Sequence, residues 1–257
     1  MPLSIHPFRS SALLSPAQID EFRSTGHLTV KRVFSEQKIE AAIDDINIWS
    51  NEFLQSLTQE KQTWYLEQAG GSEASLRKLD NPVFHRPVFE QLAKQPALVA
   101  MVQQLIGQHL SVFFSQVFMK PPEFGGPKPI HQDNFYFGPD DPDATLTAWI
   151  ALDDATIENG CLHYFDAHQT EVAVHEAPEG EPYNLQIPEA IARQFEMQPA
   201  PVPRGGVSFH HGNTPHQSSA NHSRRPRRAA AIHYLRDDAT LIKPALNYDP
   251  ALSVRVS

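Results

Sequence analysis

The stretch HLSVFFSQVFMK, residues 109–120, is where the chain changes character. Its side chains alternate as in a β-strand, which places Gln116, Phe118 and Lys120 on one side. Working outward toward the C-terminus, ATLTAWIAL (144–152), CLHYF (161–165), GGVSFHH (205–211) and RAAAIHYL (228–235) read as four further short strands. Proline-rich loops separate them, and a helical pattern returns only near PEAIARQFE (188–196). Toward the N-terminus the pattern is helical instead. SPAQIDEFRSTG (15–26) offers Ser15 as N-cap, Pro16 at the first helical position, Gln18 to complete an S-x-x-Q box, and Gly26 as a stop. SEQKIEAAIDDINIW (35–49) repeats the pattern, with Ile39, Ile43 and Ile46 on one face. PVFEQLAKQPALVAMVQQLIG (87–107) predicts a third helix, re-started near Pro96 and ended by Gly107. TWYLEQAGGSEAS (63–75) reads as an exposed loop. Helices first and strands afterwards predict an α+β protein whose mainly β core is a sandwich or barrel. Residues 1–107 form its mainly helical part and 108–257 the β core, within one domain, because no repeat or linker divides the chain.

Composition narrows the function classes. Hydrophobic residues make up 40% of the 257, enough for a sizeable core, and 22 prolines point to many turns rather than disorder. A net charge of −9 argues against a general nucleic-acid binder, which needs cations to neutralise phosphates. The single cysteine, Cys161, excludes an intrachain disulfide and reads as a buried hydrophobe. The start MPLSIHPFRSSALLSP lacks a signal peptide's apolar run, and no stretch has the ~18 apolar residues of a membrane span. The expectation is a cytoplasmic protein without a membrane or nucleic-acid partner.

Chemistry concentrates in two places. His131 and Asp133, in HQD, lie two apart and on a strand would point the same way, so both can reach one ion. In a chain this rich in histidine and aspartate, one such triplet is expected about once by chance. A 2-His-1-carboxylate site with open positions needs one more histidine, usually distant in sequence. His210, His211, His216 and His222 all lie in HHGNTPHQSSANHSRRPRR (210–228), and spacing alone does not choose among them.

Four segments in order, IDEFRSTGHLTV (19–30), FMKPPEFGGPKPIHQDNFYF (118–137), LTAWIALDDATIENGCLHYF (146–165) and GGVSFHHGNTPHQSSANHSRRPRRAAAIHY (205–234), resemble the phytanoyl-CoA dioxygenase family of Fe(II)- and 2-oxoglutarate-dependent oxygenases. The resemblance implies a double-stranded β-helix (jelly-roll) core, iron held by the H-x-D pair and a distal histidine, and 2-oxoglutarate and O2 as cosubstrates. The family's distal histidine follows a G-x-t-x-H turn and precedes a carboxylate-binding arginine by eleven residues, which selects His216 and Arg227. His210, His211 and His222 are then hydrogen-bonding strand or loop residues, and Arg224, Arg225 and Arg228 a solvated run. Ser218 resembles the family's hydroxyl beside that arginine. Trp149 matches a tryptophan lying along the cosubstrate or is a core aromatic, and Gln116 sits where the family contacts 2-oxoglutarate from a neighbouring strand. Asp133 itself, which halogenating relatives replace with a small residue, points to hydroxylation or a related oxidation.

The substrate is expected to be a small secondary metabolite or amino-acid-like molecule. Phe135, Tyr136 and Phe137 line its pocket or belong to the core, and the acidic loop GPDDPDA (138–144) would cover the mouth. One departure bears on it: Asp166, Ala167 and His168 stand where the family commonly has G-S-H. Two rival classes remain, a zinc-dependent hydrolase using metal-bound water and a non-catalytic binding jelly roll. Oxygen uptake that depends on Fe(II) and 2-oxoglutarate separates all three.

Overall fold

A computed structural model describes residues 13–68, 74–166, 171–177 and 185–257. Its helices are α1 Pro16–Thr25, α2 Glu36–Ser56, α3 Gln59–Tyr65, α4 Pro82–His85, α5 Pro87–Ala93, α6 Pro96–Ile106, α7 Asp133–Phe137 and α8 Glu189–Ala192. Its strands are β1 His27–Val30, β2 Leu66–Gln68, β3 Ala74–Leu76, β4 Lys78–Asp80, β5 Leu110–Lys120, β6 Lys128–His131 and β7 Thr145–Ala151, followed by β8 Leu162–Tyr164, β9 Gln198–Ala200, β10 Val207–His211, β11 His216–Ser218, β12 Arg227–Arg236 and β13 Val254–Arg255. Two antiparallel sheets face each other. The larger runs β1-β10-β7-β12-β5-β13 with β4 also on β5, and the smaller runs β6-β11-β8-β9. This is the jelly-roll sandwich with N-terminal helices that the sequence predicts.

Local signals decide the helix ends. Ser15 and Gln18 form the complete reciprocal capping box, and Gly26 closes α1 at φ 78°, a left-handed conformation that favours glycine. Ser35 stands at the N-cap of α2 without a side-chain cap bond. Pro96 opens α6 just after α5 ends, as its missing N–H allows.

Alternation decides the layers. On β12, Ala230, Ile232 and Tyr234 face outward and pack with Ile39, Ile43, Leu92, Leu98 and Val102 of the helices. Ala229 and Ala231 face inward, against Leu162 and Tyr164 of the smaller sheet. β7 is buried on both faces, so its run is apolar almost throughout. A β-bulge in β5 interrupts the pairing with β12 beside His233 and Tyr234, leaving Phe113 as the extra residue. The bulge explains why Val112 and Val117, five apart, share the helix-facing core.

Two expectations are corrected. TWYLEQAGGSEAS is not a loop: α3 continues through Trp64 and Tyr65, and β2 pairs with β3, while 69–73 lie outside the described residues. The cause is non-local, since the Trp64 indole and Tyr65 hydroxyl both donate to the Asp80 carboxylate, at 3.3 and 2.9 Å. The mainly helical N-terminal part also holds strands that the sequence pattern does not predict: β1 and β4 complete the larger sheet. Among the described residues no helix is long and apolar enough to cross a membrane.

Candidate metal centre and its cavity

His131 ends β6, Gln132 keeps the backbone extended (φ −122°, ψ 131°), and Asp133 opens α7. The pair therefore shares a side although only His131 is on a strand, which corrects the all-strand expectation. His216 opens β11 and pairs with His131 across the ladder. Asp133 Oδ1 lies 3.8 Å from Nε2 of each histidine. One ligand atom from each of the three buried residues falls within 4.8 Å of the others.

Backbone carbonyls orient both rings. His131 Nδ1 donates to Pro129 O at 2.8 Å, and His216 Nδ1 donates to Thr214 O at 3.0 Å. Each neutral ring then turns a bare Nε2 toward Asp133, the tautomer a metal requires. Burial keeps both imidazoles neutral, lowering their pKa values below the usual histidine range. For Asp133 burial acts the other way, but the surrounding histidines and a hydrogen bond from His210 hold the carboxyl well below its ordinary value. Two neutral nitrogens and one carboxylate oxygen make a donor set suited to Fe(II).

The three residues open onto a cavity between the sheets, also lined by Arg227, Ser218, Trp149 and Gln116. Arg227 is 2% exposed, and its Nε and Nη1 have no hydrogen-bond partner. Its guanidinium carbon stands 5.4 Å from the Trp149 ring. Burial lowers its pKa only to about 10, so at neutral pH it is a charged, unpaired group. Such a group calls for a carboxylate, and the planar guanidinium suits a bidentate pair. The cavity thus fits both implied ligands: a metal at the triad and a dicarboxylate reaching Arg227. Gln116 has its amide nitrogen on Asp80 at 2.7 Å.

His210 and His211 are buried and hydrogen-bonded, to Asp133 at 3.1 Å and Asp143 at 3.1 Å, while the His222 side chain is exposed. Arg224 and Arg225 are exposed. Arg228 points away from Arg227 as alternation requires, yet it is no solvated residue, because it makes a bidentate pair with Asp153 at 2.8 Å. Tyr136 and Phe137 line the cavity, whereas Phe135 stacks on His175 at 4.1 Å. The acidic loop does not line the cavity: Asp141 pairs with Arg236 at 2.6 Å and Asp143 with His211. Attraction to these groups holds it at the ends of β12 and β10. Asp166 accepts from His27 Nε2 at 2.7 Å, and Ala167 and His168 lie outside the described residues.

Sequence reasoning missed Thr147 and His233, which join Asp133 in one buried hydrogen-bond chain, and two buried lysines. Lys120 donates to the carbonyls of Gly126 and Ser219, at 2.7 and 2.5 Å, and Lys78 lies 3.3 Å above the Trp64 ring. Alternation had put Lys120 on the same side of its strand as Gln116, the only sequence signal for any of them.

The sequence model of the phytanoyl-CoA dioxygenase (PhyH) family matches residues 22–229. Phytanoyl-CoA dioxygenase domain-containing protein 1 of Mus musculus is 26% identical, across 91% of this chain and 94% of its own length. A probable alpha-ketoglutarate-dependent hypophosphite dioxygenase of Stutzerimonas stutzeri is also 26% identical, across 92% of this chain and 84% of its own. Among solved structures, the non-heme alpha ketoglutarate dependent carbocyclase SnoK from nogalamycin biosynthesis superposes with a TM-score of 0.71 at 24% identity, covering 95% of this chain and 97% of SnoK. On its sequence, and with a fold that agrees, the chain belongs to the phytanoyl-CoA dioxygenase family.

Proposed function

We propose that this protein is a non-haem Fe(II)- and 2-oxoglutarate-dependent dioxygenase that hydroxylates a small organic molecule, with release of succinate and CO2. The observation that carries this reading is a buried His-Asp-His triad sharing one cavity with a buried, unpartnered guanidinium. His131, Asp133 and His216 would hold the iron, which supplies oxygen activation coupled to cosubstrate decarboxylation. Arg227 anchors the far carboxylate of 2-oxoglutarate by a charge-assisted fork. Ser218, buried on β11 of the smaller sheet and lining the same cavity, adds a hydroxyl to that anchor, and Trp149 of β7 lines the cavity on the side of Arg227. Gln116 is assigned to the cosubstrate as well; its tie to Asp80 fixes which way the amide faces. A hydrolase would leave Arg227 without a purpose.

The remaining wall, with Phe114, Phe137, Leu246 and Tyr248, provides apolar surface for the substrate. This favours a compact organic body, a secondary metabolite or an amino-acid-like molecule. The test is succinate release and oxygen uptake, each with Fe(II) and 2-oxoglutarate added or omitted, in the wild type and in His131→Ala, His216→Ala and His211→Ala. Turnover should need both additions, vanish in the first two variants and survive in the third. Loss of iron by His211→Ala with retention by His216→Ala would overturn the ligand assignment.

A further inference from the structure

We propose that His233 is a positioning residue for the metal centre: acting through Thr147, it fixes the Asp133 carboxylate so that Oδ1 alone faces His131 and His216. This rests on the metal-centre reading above and adds residues that the triad does not contain.

Asp133 Oδ2 is 2.6 Å from the Thr147 hydroxyl and 3.1 Å from His210 Nε2. An ionised carboxylate only accepts, so Thr147 gives it the one proton the hydroxyl owns. His233 Nδ1 lies 2.8 Å from that same hydroxyl oxygen and must therefore be the donor. On the other side His210 donates through Nε2, so its Nδ1 accepts from Tyr164 at 3.0 Å. The Tyr164 hydroxyl, its proton committed, accepts in turn from Ser208 at 2.9 Å. Two directed chains end on one oxygen of Asp133 and leave the other for the metal. A carboxylate held by one oxygen occupies one coordination position and leaves more for cosubstrate and O2.

His233 pays for this contact with an unmet need elsewhere. Its Nε2 is buried without a partner. The ring lies among phenylalanines, stacked 5.5 Å from Phe114, edge-on 4.9 Å from Phe137, and 6.2 Å from Phe113. A stranded buried acceptor is destabilising, and a phenylalanine would fill the same cage without one. Packing alone therefore does not call for histidine here, whereas the Nδ1 contact does. The β5 bulge lies beside His233, a device that re-aims side chains near sites.

Cobalt(II) titration of the metal-free protein, followed by visible absorption and thermal melting, tests the proposal. His233→Phe should melt no lower than wild type yet bind Co(II) more weakly, with a changed absorption band. His233→Asn, which keeps an N–H near the Nδ1 position, should recover the wild-type values. Thr147→Val should weaken Co(II) binding by about 10–100-fold, the usual effect of removing a partner behind a ligand, and Thr147→Ser should not. His233→Phe with wild-type affinity and spectrum overturns the proposal. If His233→Phe fails to fold, equal affinities for His233→Asn and His233→Ala overturn it instead. Failure of the wild type to bind one Co(II) would refute the metal centre itself, so the two failures are distinguishable.

Discussion

Replacing Arg227 with alanine perturbs two free energies of opposite sign. In the free protein the guanidinium is 2% exposed, and two of its nitrogens have no hydrogen-bond partner. Burial has already drawn its pKa down to about 10, so removing the charge relieves the unliganded fold. In the complex the same change strands the cosubstrate carboxylate in a buried place, which costs about 2–5 kcal/mol for a truncated buried charge pair. At ~1.4 kcal/mol per decade, the lower bound is roughly a thirtyfold loss of 2-oxoglutarate affinity. Arg227→Lys keeps the charge but loses the fork, and should fall between wild type and alanine. Calorimetric titration of 2-oxoglutarate into the Co(II)-loaded protein under nitrogen measures this directly, with a metal assay to show that the triad stays occupied. The melting temperature without 2-oxoglutarate should not drop. Arg224→Ala and Arg225→Ala, both at exposed positions, should change affinity by less than ~0.5 kcal/mol. A large loss for Arg228→Ala with none for Arg227→Ala would refute the reasoning, because the carboxylate would then lie on the wrong face of β12.

Other outcomes follow from the same geometry. Asp133→Gly should abolish turnover and weaken metal binding, and full retained activity would sink the triad. Burial lowers Lys78 from 10.5 to about 7 despite the pull of Asp80, so between those values the unfolded chain carries a proton that the folded one lacks. Wild-type stability should therefore rise with pH across that window relative to Lys78→Met, by up to about 1.4 kcal/mol per pH unit; parallel urea midpoints from pH 7 to 9 would contradict it. Gly138 has φ +57°, and an added Cβ would meet the Lys243 carbonyl. Gly138→Ala should lower stability by about 2 kcal/mol or more in denaturant melts, without touching the metal ligands.

Whatever depends on near neighbours in the chain was legible before folding. The capping box at Ser15 and Gln18, the restart at Pro96 and the alternation through Gln116, Phe118 and Lys120 are properties of a few consecutive residues. They are enough for helices followed by a β core. The resemblance of four segments added His216 and Arg227, which spacing alone did not select. What only the tertiary structure decided depends on residues that meet across the sheets. Trp64 and Tyr65 hold a helix because Asp80, on another element, accepts from both. The acidic loop of 138–144 goes to Arg236 and His211 because opposite charges and hydrogen-bond partners await it there. Thr147, His210 and His233 look in sequence like ordinary strand residues. They supply two hydrogen-bond chains that meet on Asp133 because β7, β10 and β12 are adjacent in the larger sheet. Periodicity tells which face of a strand a side chain takes, but the oxygen or nitrogen opposite it belongs to a strand elsewhere in the chain. Register and bulge therefore choose the partner, and the partner sets where each proton resides.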